Sequence, residues 1–126
     1  MGFSFDNNTP IYIQIAKIIE IKIISGEYKP GERLPSVRDM ALAIKANPNT
    51  VQRAFGDLEE ASLIYTERTN GKFVTTNAAL IKNHKAKYAK MLARDYLEQI
   101  NKIGLDKSDA AELLNDIKPE KPGDMR

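Results

Sequence analysis

Around Val51 the chain places Asn47, Asn49, Thr50, Gln52 and Arg53, side chains able to hydrogen-bond the edges of nucleic-acid bases. Asparagine and glutamine pair bidentately with adenine, arginine pairs with guanine, and a threonine methyl meets thymine. Residue type alone does not say which base each would read. Arg53 also has a plainer alternative, a surface pairing with Asp57 four residues on, worth about 0.3–0.5 kcal/mol. Asn47 is equally suited to capping a helix, and the two roles are compatible.

Other chemistries fall away. The sequence has no cysteine, which removes disulfide scaffolds, thiolate catalysis and cysteine-ligated metals and fits a reducing cytoplasm. His84 is the single histidine, and its neighbours at helical spacing, Leu80, Ile81, Lys87 and Tyr88, offer no second ligand or acid. It reads as a solvated helix residue, not a zinc ligand or the base of a triad. The seven glycines form no phosphate-binding pattern. Neither an enzyme nor a cofactor is expected. The first ten residues lack the basic and apolar regions of a secretory signal. The most apolar stretch, positions 11–24, carries Gln14, Lys17, Glu20 and Lys22, too many polar groups in too short a run for a bilayer span. Net charge is +2, so any basic footprint must be local. Residues 1–76 hold nine charges of each sign.

The elements that must position the polar run are legible from periodicity. Thr9 as cap and Pro10 at the first helical position open a helix, Ile11, Ile15, Ile19 and Ile23 form its stripe, and Gly26 stops it. A strand is the rival reading, but about fourteen residues without a turn signal exceed a typical strand. The surplus isoleucines Ile13, Ile18, Ile21 and Ile24 hint at a second buried face. Positions 26–35 read as a connector turning at Pro30-Gly31. Ser36 caps a second helix, with Asp39 completing a capping-box pattern and Val37, Met40, Ala41 and Ile44 facing inward. Asn47-Pro48 opens a third helix, with Val51, Ala54, Phe55 and Leu58 beneath. Two short amphipathic helices so close together form a helix-turn-helix. Strands at 63–66 and 72–75 flank Arg68-Thr69-Asn70-Gly71, whose Asn-Gly pair signals a two-residue hairpin turn. A hairpin directly after a helix-turn-helix is a wing.

From Asn77 onward helix formers dominate. Ile81, Tyr88, Leu92, Tyr96, Ile100 and Ile103 lie along one stripe ended by Gly104. Asp106 then caps a last helix with Asp109 as its box partner and Leu105 and Ala110 as a staple. Its face is Ala110, Leu113, Leu114 and Ile117, and Pro119 closes it. The expected architecture is mostly α-helical with a small β-hairpin. It comprises a winged helix-turn-helix domain over residues 1–76, a two-helix C-terminal dimerisation tail over 77–118, and disorder over 119–126.

The segment from position 10 to 74 resembles the GntR family of bacterial transcription regulators. The resemblance is carried by Pro10-Ile11-Tyr12, Gln14-Ile15, Gly26, Pro30-Gly31, Leu34-Pro35-Ser36-Val37-Arg38, Asn47-Pro48-Asn49-Thr50-Val51-Gln52-Arg53-Ala54, Leu58, Leu63-Ile64 and Gly71. The opening, the recognition-helix motif and the short tail are similar to the YtrA subfamily, and the tail is shorter than the effector domains of larger subfamilies. The resemblance implies a cytoplasmic repressor of a transport-related operon that binds a palindromic double-stranded DNA operator. It implies a contact set of Ser36, Arg38, Asn47, Asn49, Thr50, Gln52 and Arg53, with Arg38 matching the family's arginine that contacts phosphate or base. Arg68, Thr69, Asn70, Gly71 and Lys72 of the wing join them, Gly71 matching the family's wing glycine. Where some members carry a cation in the recognition turn, this chain has Pro48, which points to a different target sequence.

A twofold dimer reads two half-sites and gains effective concentration over a lone module. Ile81, Tyr88, Leu92, Tyr96, Ile100, Ile103, Leu113, Leu114 and Ile117 are the residues expected to pair across it, as a homodimer. The alternative is that these helices fold back on their own winged domain. Lys82, Lys85, Lys87 and Lys90 form either a solvated face or phosphate contacts. No cluster in the tail resembles a small-molecule effector site. A winged helix used for protein–protein contact is the competing function, since the fold also serves as an interaction scaffold.

Overall fold

A computed structural model describes residues 7–119; the end of the chain expected to be disordered lies, from position 120, outside the described residues. Five helices and one two-stranded antiparallel sheet are present among the described residues. They form two compact units that meet within one long helix, between Lys85 and Ala86.

In the first unit, α1 (Ile11–Ile24) buries Ile15, Ile19, Ile23 and Ile24. Ile11, expected in that stripe, is exposed, as is Ile13. The helix begins one residue later than Thr9-Pro10 suggested. Pro10 has a helical φ of −53° but an extended ψ of 140°, so it occupies the cap position itself, with no side-chain cap. Its carbonyl accepts the Ile13 and Gln14 amides, and the Gln14 side chain donates to the Thr9 carbonyl at 2.7 Å. Gly26, at φ +85°, ends the helix with its amide bonded to the Ile23 carbonyl.

Helix α2 (Val37–Ile44) starts where the Ser36 hydroxyl accepts the Asp39 amide at 3.0 Å. It stops at Lys45, whose left-handed φ of 57° lets the Ala46 amide return to the Ala41 carbonyl. That turn is completed at once by Asn47, whose side-chain oxygen accepts the Asn49 amide at 2.8 Å and opens α3 (Pro48–Glu60). Helix α3 packs on both α1 and α2 through Val51, Ala54, Phe55 and Leu58, all buried.

Strands β1 (Ile64–Glu67) and β2 (Gly71–Val74) pair in register, with Ile64 opposite Val74 at the buried end. The tip differs from the two-residue turn that Asn-Gly suggests. Glu67 pairs with Gly71, so Arg68, Thr69 and Asn70 form a three-residue loop. The Asn70 amide returns to the Glu67 carbonyl, and only Gly71 takes a positive φ, of 108°, a hairpin geometry next in frequency to the two-residue turns. The supposed connector contributes to the sheet as well. Gly31 and Leu34 donate to the Val74 and Lys72 carbonyls, and Arg33 bridges Phe73.

Helix α4 (Ala78–Lys102) is capped by Asn77, whose side chain accepts the Leu80 amide. Its first turns belong to the winged unit, because Ile81 packs against the core there and the His84 ring meets Glu20 of α1 at 3.4 Å. The first compact unit therefore runs on to Lys85. In the second unit the remainder of α4 and α5 (Lys107–Asp116) form a helical hairpin around Gly104, at φ +89°. Asp106 and Asp109 close their box in both directions. Ile100 and Ala110 are buried in this hairpin, and the Tyr96 hydroxyl donates to the Ala110 carbonyl at 3.1 Å.

Phe55 is fully buried at the centre of the first unit. Phe55→Ala is expected to lower stability by about 3–5 kcal/mol, read as an earlier midpoint in chemical denaturation. A change below about 1 kcal/mol would mean that this side chain is not the keystone its burial implies.

Candidate nucleic-acid interface

The underside of α3 is consumed by the core, so its remaining face is turned out. Asn47, Asn49, Gln52 and Arg53 are exposed and Thr50 is half-buried. Asn47 uses its side-chain oxygen as a cap, which leaves its amide N–H groups as donors. The charge along α3 is uneven. Its N-terminal half is neutral or cationic, whereas Asp57, Glu59 and Glu60 crowd its last turns. An anionic ligand is therefore favoured at the N-terminus, where the helix dipole and free backbone N–H groups add their attraction.

Arg53 does not pair with Asp57. Its guanidinium lies 3.8 Å from the ring centroid of Tyr12, and one terminal nitrogen donates to the Tyr12 hydroxyl at 3.1 Å. This contact joins positions 41 residues apart and had no signature in local spacing. Arg38, in the first turn of α2, is exposed and free of ion pairs among the described residues. Ser36, just before it, is exposed with its hydroxyl spent on the α2 cap.

In the wing, Arg68, Thr69 and Asn70 are exposed at the tip. Lys72, grouped with them from sequence, faces elsewhere. Its ammonium donates to Glu59 at 2.8 Å and to Thr66 at 2.9 Å, and Thr66 donates in turn to Glu59. This network ties both strands to the C-terminal end of α3. The Lys72 ammonium and the Thr66 hydroxyl hold the Glu59 carboxyl below its ordinary range, because both hydrogen bonds favour the charged form. Gly71 serves the loop through its positive φ and also leaves room for Arg33. A Cβ there would stand 3.2 Å from the Arg33 guanidinium. Arg33 is exposed and puts a cation beside the wing that spacing along the chain did not reveal. The signal for it was the register of the connector, which only pairing with β2 discloses.

The nine tail residues divide. Ile81 packs in the winged unit, while Tyr96 and Ile100 are engaged within the helical hairpin. Leu92, Ile103, Leu113, Leu114 and Ile117 remain exposed, Ile103 by 72%, and Tyr88 is half-buried. No group of three or more His, Cys, Asp or Glu side chains able to hold a metal exists among the described residues. None of the described helices is long and apolar enough to cross a membrane.

A polar face on the second helix of a helix-turn-helix, flanked by a β-hairpin, defines a winged helix-turn-helix regulator of the DNA-binding class. Residues 11–74 match the family model of the gntR bacterial regulatory proteins, and the chain belongs to that family. It is 36% identical to the transcriptional regulator YhcF of Bacillus subtilis over 94% of this chain and 95% of that protein. With the transcriptional repressor YtrA of the same organism it shares 44% identity over 57% of this chain and 55% of that protein. Among solved structures, a GntR family regulator from Listeria monocytogenes superposes with a TM-score of 0.83 at 35% identity, covering 90% of this chain and all of that one. The DNA-binding domain of AraR, solved in complex with operator ORX1, matches 60% of this chain and 90% of that one, with a TM-score of 0.53 at 25% identity. The chain is a YtrA-like GntR transcriptional regulator, and its relatives are regulators rather than enzymes.

The network around Glu59 has a pH signature. A carboxyl with a depressed pKa in the folded state stabilises at neutral pH and loses that contribution as pH falls through its folded value. Hairpin amides are expected to be better protected from hydrogen exchange in the wild type than in Glu59→Gln at pH 7. The difference should vanish on acidification below the ordinary carboxylate range. Equal protection at both pH values would show that Glu59 does not hold the wing.

Proposed function

We propose that the chain is a cytoplasmic, dimeric repressor that reads a palindromic operator of a transport-related operon, the last as the resemblance to the YtrA branch implies. The observation that carries the reading is the outward polar edge of α3, exposed at Asn49, Gln52 and Arg53 above a fully committed apolar underside. In the major groove, Asn47, Asn49, Thr50, Gln52 and Arg53 face base edges. Ser36 and Arg38, at the start of α2, meet the sugar–phosphate backbone. Arg68, Thr69, Asn70 and Gly71 follow the groove beside it, and Lys72 contributes by fixing the wing. The name of YtrA supports repression, and the AraR complex supports operator binding.

Residues 1–76 form the DNA-binding domain in this reading, with the first turns of α4 packed on it, and the rest of the 77–118 tail dimerises. The exposed apolar side chains Leu92, Ile103, Leu113, Leu114 and Ile117 are the surface that a second copy covers, with Tyr88 beside them. Such a pairing sets the spacing of two half-sites along the duplex.

Affinity for a duplex selected from the source genome is expected to fall steeply with salt, with a log–log slope near −0.9 per phosphate neutralised. Thr50→Ala and Gln52→Ala should each weaken binding by about 1–3 kcal/mol and relax preference at one base pair. Binding indifferent to salt and to both substitutions would point instead to a protein partner. Sedimentation at micromolar concentration is expected to give a dimer that Leu113→Asp converts to monomer; a wild-type monomer would remove the twofold arrangement.

A further inference from the structure

Arginine is a costly residue with which to read a base, because a long side chain sampling many rotamers must be frozen in one. Arg53 meets that requirement before any ligand arrives. Its guanidinium is stacked over Tyr12 with the ring centroid 3.8 Å away, and a 3.1 Å hydrogen bond to the phenol oxygen fixes its rotation as well. The platform is itself anchored to the core. Tyr12 lies in the first turn of α1 and packs against the buried cluster that includes Ile15, Val51 and Phe55.

The nature of the partner matters as much as its position. An ion pair with Asp57 would orient Arg53 while cancelling its charge, and the carboxylate would compete with phosphate or base for the same N–H groups. An aromatic face orients the cation without neutralising it. Stacking occupies the flat face of the guanidinium, whereas bidentate contact with guanine uses the edge. Of the five N–H donors an arginine carries, the Tyr12 hydroxyl engages one nitrogen and leaves the others in the same plane.

We infer that Tyr12 is a positioning residue for Arg53, holding it in a base-reading pose, so that α1 takes part in sequence discrimination as well as in the core. This role rests on the DNA-reading function proposed above. The test uses the full chain and a duplex that the wild type enriches from a random pool, together with its single-base-pair variants. Tyr12→Leu should weaken binding about 3- to 30-fold and relax preference at the base pair that Arg53→Ala relaxes. The double variant should bind no more weakly than Arg53→Ala alone, and Tyr12→Phe, which keeps the ring, should retain most of the affinity. Additive losses, relaxation at a different base pair, or tighter binding by Tyr12→Leu would each overturn the role while leaving DNA reading intact. The pairing itself is checked without DNA. In the free wild type the Arg53 side-chain protons should show upfield ring-current shifts that Tyr12→Leu abolishes, and unshifted protons would overturn the inference. A wild type that enriches no sequence overturns the DNA reading and this role together.

Discussion

The architecture depends on the burial of one face of α3. Val51, Ala54, Phe55 and Leu58 are removed from water together, and three elements, α1, α2 and β1, close over them. Burial of this kind is favourable in proportion to apolar area and indifferent to direction, so direction must come from periodicity. With the apolar residues at helical spacing, the helix has one rotation that satisfies the core. That rotation leaves Asn49, Gln52 and Arg53 outside. Exposure of the polar edge is a by-product of packing the apolar one.

Two features then fix what hydrophobic contact leaves loose. The turn between α2 and α3 is held by backbone geometry, with Lys45 in a left-handed conformation and Asn47 capping the next helix at once. A non-glycine residue there carries a penalty of about 1 kcal/mol, which the surrounding helix ends must offset. The wing is held from both sides. The 31–34 segment bonds to β2, and the Glu59–Thr66–Lys72 network bonds the hairpin to α3. A hairpin of four-residue strands is marginal by itself, and here it is joined to the helix whose exposed polar face it flanks.

Much of this could be read from the chain as written, where the controlling interaction is local. Ile15, Ile19 and Ile23 of the α1 stripe, the caps at Ser36, Asn47 and Asp106, and the glycine stops at 26 and 104 act within a few residues, and all appear in the structure. The misses share the opposite character. Pro10 fits a cap or a first helical turn by its φ alone, and only ψ separates them. Asn-Gly favours one turn, but the register of Ile64 against Val74 imposes another. The stack of Arg53 on Tyr12, the approach of Arg33 to Gly71 and the use of Lys72 by Glu59 all join separate elements. Helical spacing placed Ile81, Tyr96 and Ile100 on one stripe without distinguishing an intramolecular neighbour from a second chain.

The acidic last turns of α3 bear on how such a regulator searches a chromosome. Adhesion to arbitrary duplex grows with the number of phosphates neutralised, yet the first 76 positions balance nine cations against nine anions. Asp57, Glu59 and Glu60 stand on the very helix that, in the proposed function, enters the groove. If α3 reads DNA as proposed, a module so balanced would be held weakly by sequence it does not recognise and would leave it quickly. Its selectivity would then come as much from short stays at wrong addresses as from a long stay at the right one.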